Sequence, residues 1–450
     1  MNLRSYRDQI DWSGTLRQIF IRPPGEDPVI DGLRGIASLS IVLFHSFYGV
    51  LFLLKGYDPI SSFIRELPPW LGFLTNTDKA VDLFFMVSAY LMGGVLFREM
   101  ARSGRIAIRR FYLKRLFRIY PLFLLGIAVY AQGNLRQSMK NLIFNLLFID
   151  NFRMKTIIPV GWSLSIEMQF YLLLPFLIFG LWRLRESWRL PALQILFVMS
   201  FAAIAVTGLM VPVTYKTPMY LFHPEKIDPA RYLDVIYYQS HTRFGPLILG
   251  LCWAWRRELE ARLPFQQKKN EFMLALAGIA LAIVWLYFPP YRIDSWFYAD
   301  FSPWLNLACH TLHRGLFCFG ILMAVRFAQR FNASAPPANT STSTSFSKSM
   351  NQIVAGCIDR FLGARFWRPF SQVVFPIYLF HFPMVAIAGA LTFQTIDLAS
   401  IKSVSLMQIF NIFFIASTLS LGLGILLHVT IEQPMIRIGA KFLRGKNPNA

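Results

Sequence analysis

Charge is what this sequence has least of. Asp, Glu, Lys and Arg make up 15% of its 450 residues, where a soluble domain carries about 25%. That shortage excludes an ordinary water-soluble globule, and a mean hydropathy of +0.45 points the same way. Cysteine is scarce too, with only Cys252, Cys309, Cys318 and Cys357. Their spacing fits neither a disulfide framework nor a metal site, and the first three lie in or near apolar segments as reduced packing residues. Acidic residues number 24 against 45 basic ones. On a soluble chain the resulting +21 would suggest nucleic acid. Here the basic residues fall in blocks between apolar runs, which is how membrane topology is set, so nucleic acid is not an expected partner.

What the sequence has in abundance is apolar runs near the length of about 20 residues that a bilayer-crossing helix needs. Ten are predicted as helices: 32–54, 80–97, 119–133, 162–182, 191–212, 243–256, 272–289, 306–326, 371–395 and 406–428. The expected fold is an all-α integral membrane protein, about ten transmembrane helices around a polar intramembrane cavity. The runs 119–133 and 243–256 are short and need flanking polar residues to span. With the N-terminus inside, 30 of the 45 basic residues flank the cytoplasmic side and 14 the other. Both termini are therefore expected in the cytoplasm. Residues 1–29 are polar and amphipathic, with no small-residue cleavage site after a short apolar core, so the first span reads as a retained anchor. The membrane domain is expected over 30–435. Within it, 332–351 is a Ser/Thr/Ala/Pro-rich stretch that reads as a flexible cytoplasmic loop, and 436–450 reads as a basic tail.

Against this background the stretch "IDGLRGIASLSIVLFH" is conspicuous, because Arg34 and His45 sit eleven residues apart in apolar sequence. Eleven residues of helix rise about 16 Å and turn three times plus roughly 20°, so both side chains leave one face. Arg34 falls near the cytoplasmic end and His45 near the membrane centre. Polar groups at that depth face a bundle interior or a wet cavity. The alternative, Arg34 snorkelling to headgroups and His45 in a structural interhelical hydrogen bond, carries less weight because the two align.

Other intramembrane polar residues are candidates for the same cavity: Asp82 in "VDLFFMVSAYLMGG", Ser163 and Glu167 in "GWSLSIEMQFYLLLP", His310, His313 and Arg314 at the outer start of the eighth span, and His381 in "PIYLFHFPM". A membrane-embedded carboxylate such as Glu167 reads as a site, by catalysis or orientation, or else as half of an ion pair. For His310, His313 and His381 structural roles stand ahead, and Glu432 in "HVTIEQP" reads as structural at headgroup level. In "RRFYLKRLFRIYP", Arg115 and Arg118 share a helix face. That pair is either a topology signal or a clamp for a phosphate-bearing polyanion.

Taken together, these stretches resemble the acyltransferase-3 family of multi-spanning membrane O-acyltransferases. "IDGLRGIASLSIVLFH" carries its Arg-x10-His element, "VDLFFMVSAYL" its second-span motif, "RLFRIYP" its Arg-x-x-Arg motif and "WSLSIEMQFYLLLP" its fourth-span motif. "TRFGPLILG", "PIYLFHFPM" and "IEQP" are similar to weaker later signatures. The matches run in family order over roughly 30–440. The chain departs at Ser88-Ala89, where Ser-Gly is common, and at Glu167-Met168, where two carboxylates are common. The resemblance implies acyl-CoA, commonly acetyl-CoA, as donor and a hydroxyl of a glycan or lipid-linked sugar as acceptor, with no metal. It implies Arg34, Arg115 and Arg118 as donor-binding residues, His45 as general base or acyl relay, and Glu167 as its orienting partner. Two competing expectations are a proton-coupled sugar or polysaccharide transporter, for which no relation between chain halves is visible, and a non-catalytic sensor or assembly partner.

Overall fold

A computed structural model of the protein describes Tyr6 and residues 8–53, 67–153, 155–214, 233–260, 271–288, 303–333, 350–401 and 403–444. Each of the ten predicted apolar segments is helical. In chain order the helices are α1 (Trp12–Phe20), α2 (Pro28–Leu53), α3 (Ala80–Ser103), α4 (Ile108–Ala131), α5 (Leu135–Leu146) and α6 (Gly161–Arg183). They continue with α7 (Glu186–Thr214), α8 (Ser240–Glu260), α9 (Glu271–Leu286), α10 (Pro303–Ala333) and α11 (Met350–Leu362). The last are α12 (Trp367–Gln372), α13 (Val374–Phe393), α14 (Leu406–Leu427) and α15 (Gln433–Arg444). Among the described residues, five stretches are long and apolar enough to cross a membrane by length and composition: Pro28–Gly49, Pro69–Ser103, Gly161–Arg183, Val374–Phe393 and Leu406–Leu443. Large apolar side chains such as Leu172 and Phe176 on α6 and Phe414 on α14 point outward, as lipid-facing residues do. The molecule is an all-α integral membrane protein.

The two short predicted runs are extended by polar sequence. Helix α4 starts eleven residues before 119 and takes in Arg115 and Arg118, and α8 runs from Ser240 to Glu260. The apolar windows were short because their ends carry arginines, which hold helix as well as leucine does. The expected helix 371–395 divides instead at Val373 into α12 and α13. Among the described residues four helices lie outside the ten segments, among them α5. It exposes Leu135, Met139 and Ile143 while burying Asn141 and Asn145, the pattern of a helix lying in a bilayer interface. Most of the 332–351 stretch falls outside the described residues, its ends belonging to α10 and α11. The expected basic tail from 436 is helical through Arg444.

Helix α3 sits at the centre and runs against α2, α6 and α8. Its contact with α8 is backbone to backbone, since a Cβ on Gly250 would lie 2.0 Å from the Met86 carbonyl oxygen and 3.0 Å from Ala89 Cβ. The first turn of α2 is equally tight. A Cβ on Gly32 would meet the Leu362 carbonyl oxygen at 2.1 Å, and one on Gly35 the Trp367 oxygen at 2.8 Å. The glycines flanking Arg34 thus let α11 and α12 cross directly over it. Helices α14 and α15 are joined by a π-turn over His428–Glu432. Such turns place side chains at sites a regular helix would not reach.

Candidate active site

Asp31 anchors the start of α2. It accepts hydrogen bonds from Arg22 Nε at 2.8 Å, Arg368 Nη1 at 2.9 Å and Ser371 Oγ at 2.9 Å. One turn on, Arg34 faces a vestibule of about 790 Å³ that Arg98, Arg118, Arg257, Asp31 and Glu432 also line. Arg34 makes no hydrogen bond to the described residues, so its donors are left for something else. Arg118 is steadied by Glu432, Nε to Oε1 at 3.5 Å, and Glu432 Oε2 in turn takes a proton-bearing contact from His428 Nδ1 at 2.7 Å. Glu432, expected from the sequence to be structural, holds Arg118 and His428 on the wall of the vestibule.

Behind the vestibule lies a narrower chamber of about 160 Å³, which shares Arg34, Leu91 and Arg118 with it and adds Arg115, Ser163 and Glu167. All three predicted donor-binding arginines thus border one continuous space. Arg115 Nε is buried without a hydrogen-bond partner, an orphaned donor that suits an anion. Beside it Glu167 Oε1 accepts from the Tyr171 hydroxyl at 2.5 Å, one helical turn along, and from Ser88 Oγ of α3. The far end of the chamber closes at Ser163 Oγ, which hydrogen-bonds the Tyr378 hydroxyl. The Tyr378 ring stands 6.1 Å from that of His381.

Beyond Tyr378, His45 of α2 meets His381 of α13, with His45 Nδ1 to His381 Nε2 at 2.9 Å. The tautomers follow from the carbonyls. His381 Nδ1 faces the Tyr378 oxygen at 2.8 Å and the Ile377 oxygen at 3.2 Å, so it carries the hydrogen. In a neutral ring Nε2 is then an acceptor. His45 Nδ1 must therefore donate, into His381 Nε2 and toward the Ile41 oxygen at 3.0 Å. His45 Nε2 is left as a lone pair with no hydrogen-bond partner among the described residues.

The remaining predicted site residues divide. Glu167 is not within hydrogen-bond reach of His45, because it lies on the chamber side of Tyr378; the imidazole is held by His381 instead. Ser163 lines the chamber. Asp82 and Arg314 do not line it. Asp82 is fully buried and receives Arg243 Nη1 at 3.0 Å and Arg314 Nη1 at 2.7 Å, while Arg314 also binds Asp78. This is a closed ion cluster knitting α3, α8 and α10, which spends the charges on each other. His313 is buried with its ring 5.9 Å from Phe288 and 6.4 Å from Trp285. The His310 side chain falls outside the described residues. Sequence reasoning missed Tyr171, Tyr378 and Ser88 as site residues, although all three lie in the motifs quoted above and Tyr171 stands four residues from Glu167. Among the described residues no three His, Cys, Asp or Glu side chains converge as a metal site requires.

A family model described as an acyltransferase domain matches residues 27–429. The chain is 24% identical over 382 residues to a peptidoglycan O-acetyltransferase, OatA, of Listeria monocytogenes, covering 80% of this chain and 49% of that protein. It is 26% identical over 288 residues to a putative peptidoglycan O-acetyltransferase, YrhL, of Bacillus subtilis, covering 58% and 39%. To an O-acetyltransferase, OatA, of Staphylococcus aureus it is 27% identical over 303 residues, covering 60% and 42%. The match thus spans half or less of the length of each of these relatives. No solved structure matches.

Proposed function

The chain belongs to the acyltransferase-3 family, and from that premise we propose that it moves an acetyl group from acyl-CoA to a hydroxyl of a cell-envelope glycan. We place it in a bacterial inner membrane with about ten spans and both termini in the cytoplasm. The observation that carries the reading is the shared wall of Arg34, Arg115 and Arg118, with Arg34 and Arg115 Nε uncommitted, leading toward an imidazole whose Nε2 is free. The coenzyme's nucleotide phosphates suit the guanidinium-lined vestibule, because phosphate and guanidinium pair through charge-assisted hydrogen bonds. The narrower chamber is assigned to the extended pantetheine arm, which supplies the thioester. A turn of the Tyr378 side chain separates that arm from His45.

His45 Nε2 then takes the proton of the acceptor hydroxyl as its oxygen attacks the thioester carbonyl, work for which a neutral imidazole is suited. The carbon–sulfur bond breaks, and the proton returns from His45 to the departing thiolate. His381 Nε2, accepting from His45 Nδ1–H, keeps the imidazole in the right tautomer and steadies the imidazolium, as the third member of a hydrolase triad does. Peptidoglycan, the acceptor named for two of the relatives, is the first candidate here.

The test is transfer from labelled acetyl-CoA by the reconstituted protein to glycan and lipid fractions of its host. Label should enter a glycan with wild type and not with His45→Ala of equal folding. Transfer by His45→Ala at the wild-type rate removes the base assignment, and no loss of thioester with any acyl-CoA removes the donor.

A further inference from the structure

A second cavity lies away from the arginine chamber, on the outer surface of the bundle. It is a groove of about 430 Å³ between α7, α8 and α10, with Leu193, Phe197, Leu249 and Phe319 among its walls. That volume falls within the range of about 300–1,000 Å³ typical of small-ligand sites. Its rim includes Val198, which is 62% exposed on the same apolar surface as Ile195 and Met199, so the groove opens where lipid lies. One end is different in kind: Arg256 and Arg326 line it.

Those arginines are incompletely neutralised. Glu260 accepts from Arg256 Nε at 2.7 Å and from Arg326, and stands 3.7 Å from Arg330 Nη1, which also binds Glu271. Among the described residues Arg256 and Arg326 therefore share the one carboxylate of Glu260. Arg326 Nε is buried with no hydrogen-bond partner, an unmet donor of the kind native structures rarely leave without a reason. Arg256 is next in the chain to Arg257, which lines the vestibule, so the charged end of the groove stands at the vestibule's end of the bundle. That level is where a headgroup meets an acyl chain.

We propose that this groove binds one anionic phospholipid, with an acyl chain along α7 and α10 and the phosphate at Arg256 and Arg326. The apolar walls take the chain without a hydrogen-bonding requirement, and the surplus guanidinium charge selects the anionic headgroup over a zwitterionic one. The site is independent of the reaction proposed above, because it shares no lining residue with the chamber or the vestibule.

Full-length protein in neutral detergent, mixed with phosphatidylglycerol or with phosphatidylcholine of the same chains, is examined by native mass spectrometry for retained lipid. Wild type should retain phosphatidylglycerol roughly fivefold better, the ratio expected from about one surplus charge. The preference should vanish in the double variant Arg256→Gln/Arg326→Gln and survive in Arg360→Gln, which alters an exposed arginine of α11. Val198→Trp, a change on the exposed rim that leaves the charges in place, should lower retention of both lipids and decides the matter if the double variant fails to fold. Equal retention of the two lipids by wild type overturns the proposal. So does a preference that persists in the double variant, wild-type retention in Val198→Trp, or retention of uncharged lipid alone.

Discussion

At the scale of single residues, the two histidines divide one task unequally. His45 keeps the free nitrogen, whereas His381 is fully buried and, among the described residues, bonds only to His45 and to carbonyls of its own helix. His45→Ala should abolish transfer. His381→Ala should lower kcat about 100-fold, at the low end of what positioned acid–base groups contribute, while KM for acetyl-CoA stays within about twofold. Steady-state kinetics on folded variants check the split, and a large rise in KM with kcat intact would assign His381 to binding instead. Asp150, in the turn between α5 and α6, offers a test by pH. Burial pushes its carboxyl up to about 6, against the opposing hydrogen bond from Ser165 Oγ. An unfolded aspartate titrates near about 3.9, so the folded protein binds this proton more tightly. The stability it contributes is complete below about pH 4 and is lost as pH rises through about 6. Asp150→Asn has no charge to bury. It should be more stable than wild type at pH 8 by on the order of 2 kcal/mol and no more stable near pH 4, as read by thermal unfolding in detergent. A gain of the same size at both values would disprove the titration.

At the scale of helices, close approach and buried charge fix the positions of the site residues. Gly32→Val would drive a side chain into the Leu362 carbonyl, so α11 and α12 must lift from α2. We expect a loss of more than about 3 kcal/mol together with loss of donor binding, measured as melting temperature and KM. The ion cluster holds α3, α8 and α10 in register. Asp82→Ala leaves Arg243, which is 1% exposed, without its carboxylate partner, and should cost about 3–5 kcal/mol. A stable Asp82→Ala protein with a raised acceptor KM would return Asp82 to the substrate cavity that sequence reasoning assigned it. The motif "DGLRG" and the Arg115–Arg118 pair were legible because glycine spacing and guanidinium spacing are local properties of a helix. The pairing of Asp82 with Arg243 and Arg314 was not, since partners 161 and 232 residues away carry no sequence mark.

At the scale of the molecule, the two ends of the chain meet. The Tyr6 hydroxyl donates to the Thr430 oxygen at 2.6 Å, and Arg437 Nη1 donates to the Gln9 oxygen at 2.6 Å. The segments before the first apolar helix and after the last therefore lie against each other. Cys357, exposed on α11, is a native reporter of which face that is. A membrane-impermeant maleimide should label it only in permeabilised cells, whereas Lys140→Cys on α5, in a Cys357→Ser background, should be labelled in intact spheroplasts. Labelling of Cys357 in intact cells would invert the orientation read from the basic residues.

The sequence by itself determined that the chain lives in a membrane, that it is helical, and that Arg34 and His45 share a face, because hydrophobicity and helical periodicity act over one or two turns. Through motifs whose order along the chain matches a family it also singled out Arg34, Arg115 and Arg118, which the fold brings to the wall of one chamber. What partners His45 was decided only by the tertiary structure. On paper Glu167 was the expected partner and His381 a structural residue, but the packing of α13 against α2 brings the His381 imidazole to 2.9 Å while Tyr378 stands before the carboxylate. Hydrogen bonds between distant helices depend on crossing angle and register. Those are set by the fit of whole surfaces, to which no single stretch of sequence has access.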